Sequence, residues 1–184
     1  KKFLIFTKSG FEHIVPKGLD HILFMLGLFF SCLYFRSLLF QVTAFTIAHS
    51  ITLILASQGY VQIQASIVEP LIALSIVWIA IENCVFKEPN KWRSLVVFTF
   101  GLLHGLGFAS VLSEYGLPKD NFISLLLAFN IGVELGQVFI LILAFSLVRL
   151  IFRKNWQSIK IRFTASIVIG LVGLFWFIER ILSL

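Results

Sequence analysis

Charge is scarce in this chain. Only 13% of its 184 residues are Asp, Glu, Lys or Arg, whereas a soluble domain carries about 25%. A surface so poor in charge cannot keep the chain dissolved. Cysteine is nearly absent: Cys32 and Cys84 lie in different apolar stretches with no CxxC word. That leaves no disulfide framework and no thiolate site, and both read as packing residues. There is no HExxH zinc word and no ATP-binding loop. No segment alternates apolar and polar residues as a barrel strand does. The net charge of +6 comes without basic–aromatic interleaving, so nucleic acid is not an expected partner. The first residue is Lys1, not Met, which fits a removed signal peptide or a trimmed start.

What is abundant is apolar. Hydrophobic residues make up 59% of the chain, with 21 Phe and 4 Trp, and the mean hydropathy is +0.98. A membrane-spanning helix needs about 20 such residues. Six runs qualify: roughly 19–36, 38–57, 66–86, 94–113, 121–149 and 163–182. They predict an all-α, polytopic transmembrane bundle of about six helices, a single integral membrane domain over 1–184 with lipid as its solvent. Arg36-Ser37 reads as a very tight first turn, and Gly and Pro clusters mark later breaks. Glu69, before Pro70, reads as a helix cap. Lys and Arg in loops 36–37, 87–93 and 149–162 number nine, against six on the other side (Lys1, Lys2, Lys8, Lys17, Lys119, Arg180). The positive-inside rule then places both termini on the exoplasmic side.

Ionisable groups at membrane depth are costly, so they face a partner, a cavity or a pathway. All four histidines lie in or beside apolar runs: Glu12-His13, Asp20-His21, His49-Ser50 and His104-Gly105. Glu82-Asn83 and Glu134 occupy further runs. Pro16 and Gly18 break the backbone just before Asp20 and His21. Thr46, His49 and Ser50 share a helical face, as do Asn130, Glu134 and Gln137. Gly101, Gly105 and Ala109 make a small-xxx-small face that permits close helix approach. Imidazole with carboxylate is the ligand set of divalent transition metals. The expected metal ligands are His13, Asp20, His21, His49, His104 and Glu134, supported by Glu82, Asn83, Asn130 and Gln137. His21, His49 and His104 are expected to face the bundle interior, because lipid offers an imidazole no partner. At 1.5 Å rise per residue, Asp20 and His21 fall near the outer edge and Glu82 near the inner face. That spreads the polar groups as a ladder across the membrane.

These words together resemble the HupE/UreJ family of bacterial membrane proteins. The resemblance rests on Gly18 to Phe24, Thr43 to Ser50, Ala80 to Asn83, Phe100 to Ala109 and Asn130 to Glu134, and covers about residues 10–140. It implies a multi-pass protein of the bacterial inner membrane, and some members are nickel permeases linked to hydrogenase or urease maturation. The permease branch shows a His, five or six residues, then Asp-His; His13 and Asp20-His21 have that look. That branch also carries a second His and a following Glu in the later helix. The word His104-Gly105-Leu106-Gly107-Phe108 has neither, so the chain resembles the second, less characterised branch.

The leading reading is a permease or channel for a divalent transition metal, with nickel, cobalt or zinc as the ion. The alternative is an intramembrane zinc hydrolase or transferase, with His21, His49 and His104 on the metal, Asp20, Glu82 or Glu134 as base, and Ser50 assisting. A third is a subunit of a homo-oligomer or larger membrane complex, its polar face serving as helix glue. A spread, water-lined ligand path favours transport, and convergence of the three histidines on one metal favours the enzyme.

Overall fold

The computed structural model describes residues 1–31, 34–86, 92–114, 121–153 and 158–183, and for 108–114 the backbone alone. Among the described residues there are seven helices and no strand. They are α1 (Lys2–Ile14), α2 (Leu19–Ser31), α3 (Phe35–Ser57), α4 (Ala65–Val85), α5 (Arg93–Glu114), α6 (Phe122–Phe152) and α7 (Ile159–Leu182). In hydrocarbon each backbone N–H and C=O must be satisfied within its own segment, and long helices do that. Four helices are long and apolar enough to cross a membrane, and five spans result if the bent pair α1–α2 counts as one. α5, with 22 residues, also has the required length. The outward faces are apolar: Trp78, Leu135, Leu150 and Phe175 are exposed, as lipid-facing side chains are.

α1 and α2 form one broken span. They meet at 70° across a short break holding Pro16 and Gly18. Phe3 shares a recess with Phe122 and Leu127, so α1 starts beside the start of α6. α2 ends at the opposite side of the bundle, where Arg162, near the start of α7, donates to the carbonyls of Phe30 and Ser31, both at 2.7 Å. A cation on the last carbonyls of a helix also opposes the negative end of its dipole. The span therefore crosses the whole bundle.

Two glycine contacts set the helix spacing. A Cβ on Gly10 would strike the carbonyl of Phe129, and one on Gly132 the carbonyl of Thr7, so α1 lies backbone to backbone on α6. Likewise Gly101 and Gly105 bring α5 onto Phe45, Ala48 and His49 of α3. The side chain of Ala109, the third member of that expected face, lies outside the described residues. Beneath these contacts, Phe24, Met25, Leu28, Phe29 and Phe45 form a fully buried apolar core.

Four expectations need correction. The first run does not reach residue 36: α2 ends at Ser31, and Arg36 and Ser37 lie in the first turn of α3 rather than in a loop. Residues 2–14 form a helix of the bundle, which the apolar count missed because 13 residues are too few to span. Asp20 and His21 therefore sit inside the bundle beside His49 and His104 rather than at its edge, since α1 precedes them in the span. Glu69, expected as a cap, lies inside α4, whose N-cap is Gln64.

Candidate metal centre

The helix break delivers two histidines to the middle of the bundle. His13 is in the last turn of α1, and His21 in the first turn of α2. His49 enters from α3, about 21 Å from that helix's start at 1.5 Å per residue. His104 enters from α5, next to the glycine that rests on His49. His21, His49 and His104 are 3%, 0% and 1% exposed, so all three face inward as expected. The four rings converge. Ring centroids lie 4.8 Å apart for His13–His21, 5.8 Å for His21–His49, 4.7 Å for His21–His104 and 6.0 Å for His13–His49. Asp20 and the histidines, expected as separate rungs of a ladder, are thus gathered into a compact cluster, while Glu82 and Glu134 stay apart from it.

Two overlapping groups have ligand atoms within 4.8 Å of one another: His13, His21 and His49, and Asp20, His21 and His104. His21 belongs to both. Tetrahedral nitrogen ligands at about 2.0–2.1 Å from zinc lie roughly 3.3 Å apart, so a small contraction would close either group on an ion.

Hydrogen bonding assigns the tautomers. The Ser75 hydroxyl has one proton and donates it to the carbonyl of Ile72 at 2.6 Å. Its oxygen, 3.3 Å from Nε2 of His104, must therefore accept from Nε2–H. That leaves the Nδ1 lone pair of His104 available, and this buried atom has no hydrogen-bond partner among the described residues. Nδ1 of His21 lies 3.1 Å from Oδ1 of Asp20. A carboxylate accepts, so Nδ1 carries the proton, and in the neutral ring Nε2, also buried and without a partner among the described residues, presents its lone pair. An imidazole held on one nitrogen by a carboxylate or hydroxyl, with the other nitrogen bare, is the usual condition of a metal-ligating histidine. Neither nitrogen of His49 makes a hydrogen bond of normal geometry, although Asn130 lies beside it. The donor set is nitrogen and oxygen without sulfur, which fits nickel, cobalt or zinc.

A chamber of about 360 Å³ leads to this cluster, lined among others by Ser9, His13, Lys17, Asp20, Glu69, His104 and Arg180. It opens on the side of the bundle where both termini lie. On the other side, His104 and His21 pack against Phe24 and Phe45.

The remaining sequence candidates lie elsewhere. Oε1 of Glu134 accepts from Thr43 at 2.7 Å, and the Gln137 side-chain oxygen accepts from Thr46 at 2.8 Å. Both pairs join α3 to α6, and Glu134 lies outside the two ligand groups. Ser50 donates to the carbonyl of Thr46. Glu82 pairs with Arg93 at 3.1 Å, both buried. Asn83 bridges Arg93, Ser166 and the carbonyl of Gly27. This network ties α2, α4, α5 and α7 at the end away from the chamber. Sequence reasoning missed Ser75, Lys17 and Arg180. The spacing of Ser75 and Glu82, seven residues on one face of α4, was the available signal for the first.

A family model described as "HupE / UreJ protein" matches residues 1–180. No curated protein and no solved structure matches the chain.

Proposed function

The chain belongs to the HupE/UreJ family, and from that premise we propose that it carries a divalent transition metal (nickel, cobalt or zinc) across the bacterial inner membrane. One observation carries this reading: His21 and His104, each facing inward with one bare ring nitrogen, meet where a membrane helix is broken. Discontinuous helices at the midplane are the usual builders of ion sites in secondary transporters.

The ion enters the chamber from the exoplasmic side, the side of both termini. His21 and His104 take it through Nε2 and Nδ1, and Asp20 holds the His21 ring or contributes an oxygen. Because His21 is common to both groups, the ion passes to His13 and His49 by exchanging ligands around a shared ring. Asn130, then the Thr46–Gln137 and Thr43–Glu134 pairs, continue the polar line along the α3–α6 seam. Phe24 and Phe45 close the direct route, so release to the cytoplasm requires the break at Pro16 and Gly18 to flex. The chain holds no ATP-binding word, so a gradient or another subunit supplies the energy.

The second reading, an intramembrane zinc hydrolase with Asp20, Glu82 or Glu134 as base, needs His21, His49 and His104 on one metal, and the two ligand groups divide them, with His49 in one and His104 in the other. Purified protein in sealed vesicles separates the two. Time-dependent accumulation of labelled nickel, cobalt or zinc inside the vesicles supports transport. Stoichiometric metal binding without accumulation refutes it and leaves the hydrolase. Anomalous scattering at the metal edges identifies the ion in either case.

A further inference from the structure

The lining of the chamber carries two bases beside its two acids. Lys17 and Arg180 line it together with Glu69 and Asp20. Among the described residues, no carboxylate pairs with either base. Arg180 donates instead to the main-chain carbonyl of Glu69 at 2.8 Å and lies over Trp176. Asp20, the carboxylate nearest the metal ligands, is engaged by the His21 ring and backbone. A free dication would therefore pass two bases that no carboxylate pairs among the described residues, with Glu69 standing beside them, on its way to the histidines.

The chamber is also large for an ion. At about 30 Å³ per water, 360 Å³ holds roughly a dozen waters, about twice the six of an octahedral aquo ion. It falls instead within the range of small-molecule pockets, which begin near 300 Å³. Its polar lining is mixed, with Glu69 of α4 standing beside Arg180. Imidazole lone pairs and Asp20 sit at the floor, while the two cations come from the α1–α2 break and from the last turn of α7.

We propose that the chamber receives the metal as a complex with a small polycarboxylate, an inference that rests on the metal-centre reading above. The metal keeps part of its carboxylate shell. His21 Nε2 and His104 Nδ1 replace waters or carboxylate oxygens on it, one donor in for each donor out. Carboxylates not bound to the metal pair with Lys17 and Arg180, as charge-assisted hydrogen bonds favour. Transfer to His13 and His49 then strips the chelator, which leaves by the way it came.

The test uses the full chain in detergent, with radiolabelled nickel alone and nickel complexed by labelled citrate. Parent protein is expected to retain citrate only in the presence of nickel, in a one-to-one ratio. Lys17→Gln, at an exposed side chain, should weaken nickel–citrate binding roughly threefold, and Lys17→Gln with Arg180→Gln roughly tenfold, as two partly exposed charge pairs would. Binding of nickel alone should stay level or tighten. Arg180→Lys, which keeps the charge, should bind nickel–citrate more tightly than Arg180→Gln. If the parent retains nickel while citrate passes through, or if the variants weaken both forms equally, the chelate proposal is overturned and the metal centre stands. If the parent retains neither form, the metal centre itself is overturned.

Discussion

His104→Ala separates a metal ligand from a packed core histidine. The ring is 1% exposed and touches Phe24, Phe45 and His21, with centroids 5.3, 5.0 and 4.7 Å away. Its only hydrogen-bond partner among the described residues is Ser75, which keeps its own bond to the carbonyl of Ile72 when the ring is removed. No buried hydroxyl proton is orphaned, so the stability loss is mainly a cavity. At about 24 cal/mol per Å³, a void of roughly 50 Å³ costs about 1.2 kcal/mol. For a chain of this size that lowers Tm by about 2–5 °C. Metal affinity should fall much further. Losing an outer-shell partner of a ligand costs about 10–100-fold, and losing one of three direct ligands should exceed about 100-fold. Elemental analysis, nickel titration and thermal unfolding of parent, His104→Ala and Cys84→Ala test this together. Cys84, a free thiol on α4 outside both ligand groups, should be silent. If His104→Ala binds metal like the parent, or unfolds rather than losing metal, the ligand assignment is wrong and the ring is helix glue.

Four further outcomes rest on the same geometry. Arg93→Ala strands the buried carboxylate of Glu82 and should cost about 3–5 kcal/mol; Arg93→Ala with Glu82→Gln should recover part of that loss, read as the yield and melting temperature of folded protein. Gly132→Leu drives a side chain into the Thr7 carbonyl and should lift α1 from α6 at a cost of about 1–3 kcal/mol, with metal content lost because His13 and His21 separate. Glu134→Gln keeps an acceptor for Thr43 and should leave equilibrium metal content within about twofold of the parent, since larger losses require a group that ligates the metal or holds one of its ligands; a large drop would put Glu134 on the metal. A cysteine at Ser158 should react with impermeant reagent from the cytoplasmic side alone, and labelling from outside would reverse the orientation drawn from the basic loops.

The long spans were legible because one physical quantity, apolar run length against bilayer thickness, defines them. α1 was not, because Lys2, Lys8 and Glu12 dilute a helix of only 13 residues that is held by backbone contact at Gly10 rather than by apolar bulk. The chemistry-bearing residues were readable by type and by their cost at depth. Their convergence was not. Depth arithmetic assumes that each segment starts at the surface, and the hidden half-helix displaced Asp20 and His21 by its own length. The Glu82–Arg93 pair was accessible in principle: one residue ends α4, the other starts α5, and a short loop sets them at the same level. The tautomers of His21 and His104 depend on Asp20 and on Ser75, and the second contact joins two helices whose register only packing determines.

The two halves of the broken span are fastened to different parts of the bundle. α1 is seated on α6 through Gly10 and Gly132, whereas α2 is clamped at its far end by Arg162 of α7 and along its side by Asn83 of α4. The bundle thus has two handles on one hinge. α2 also meets α6, where the rings of Phe29 and Phe145 lie 4.8 Å apart, so a tilt of α6 against the α4–α7 pair would load the two halves unequally, and the join that takes up the difference carries His13 on one side and His21 on the other.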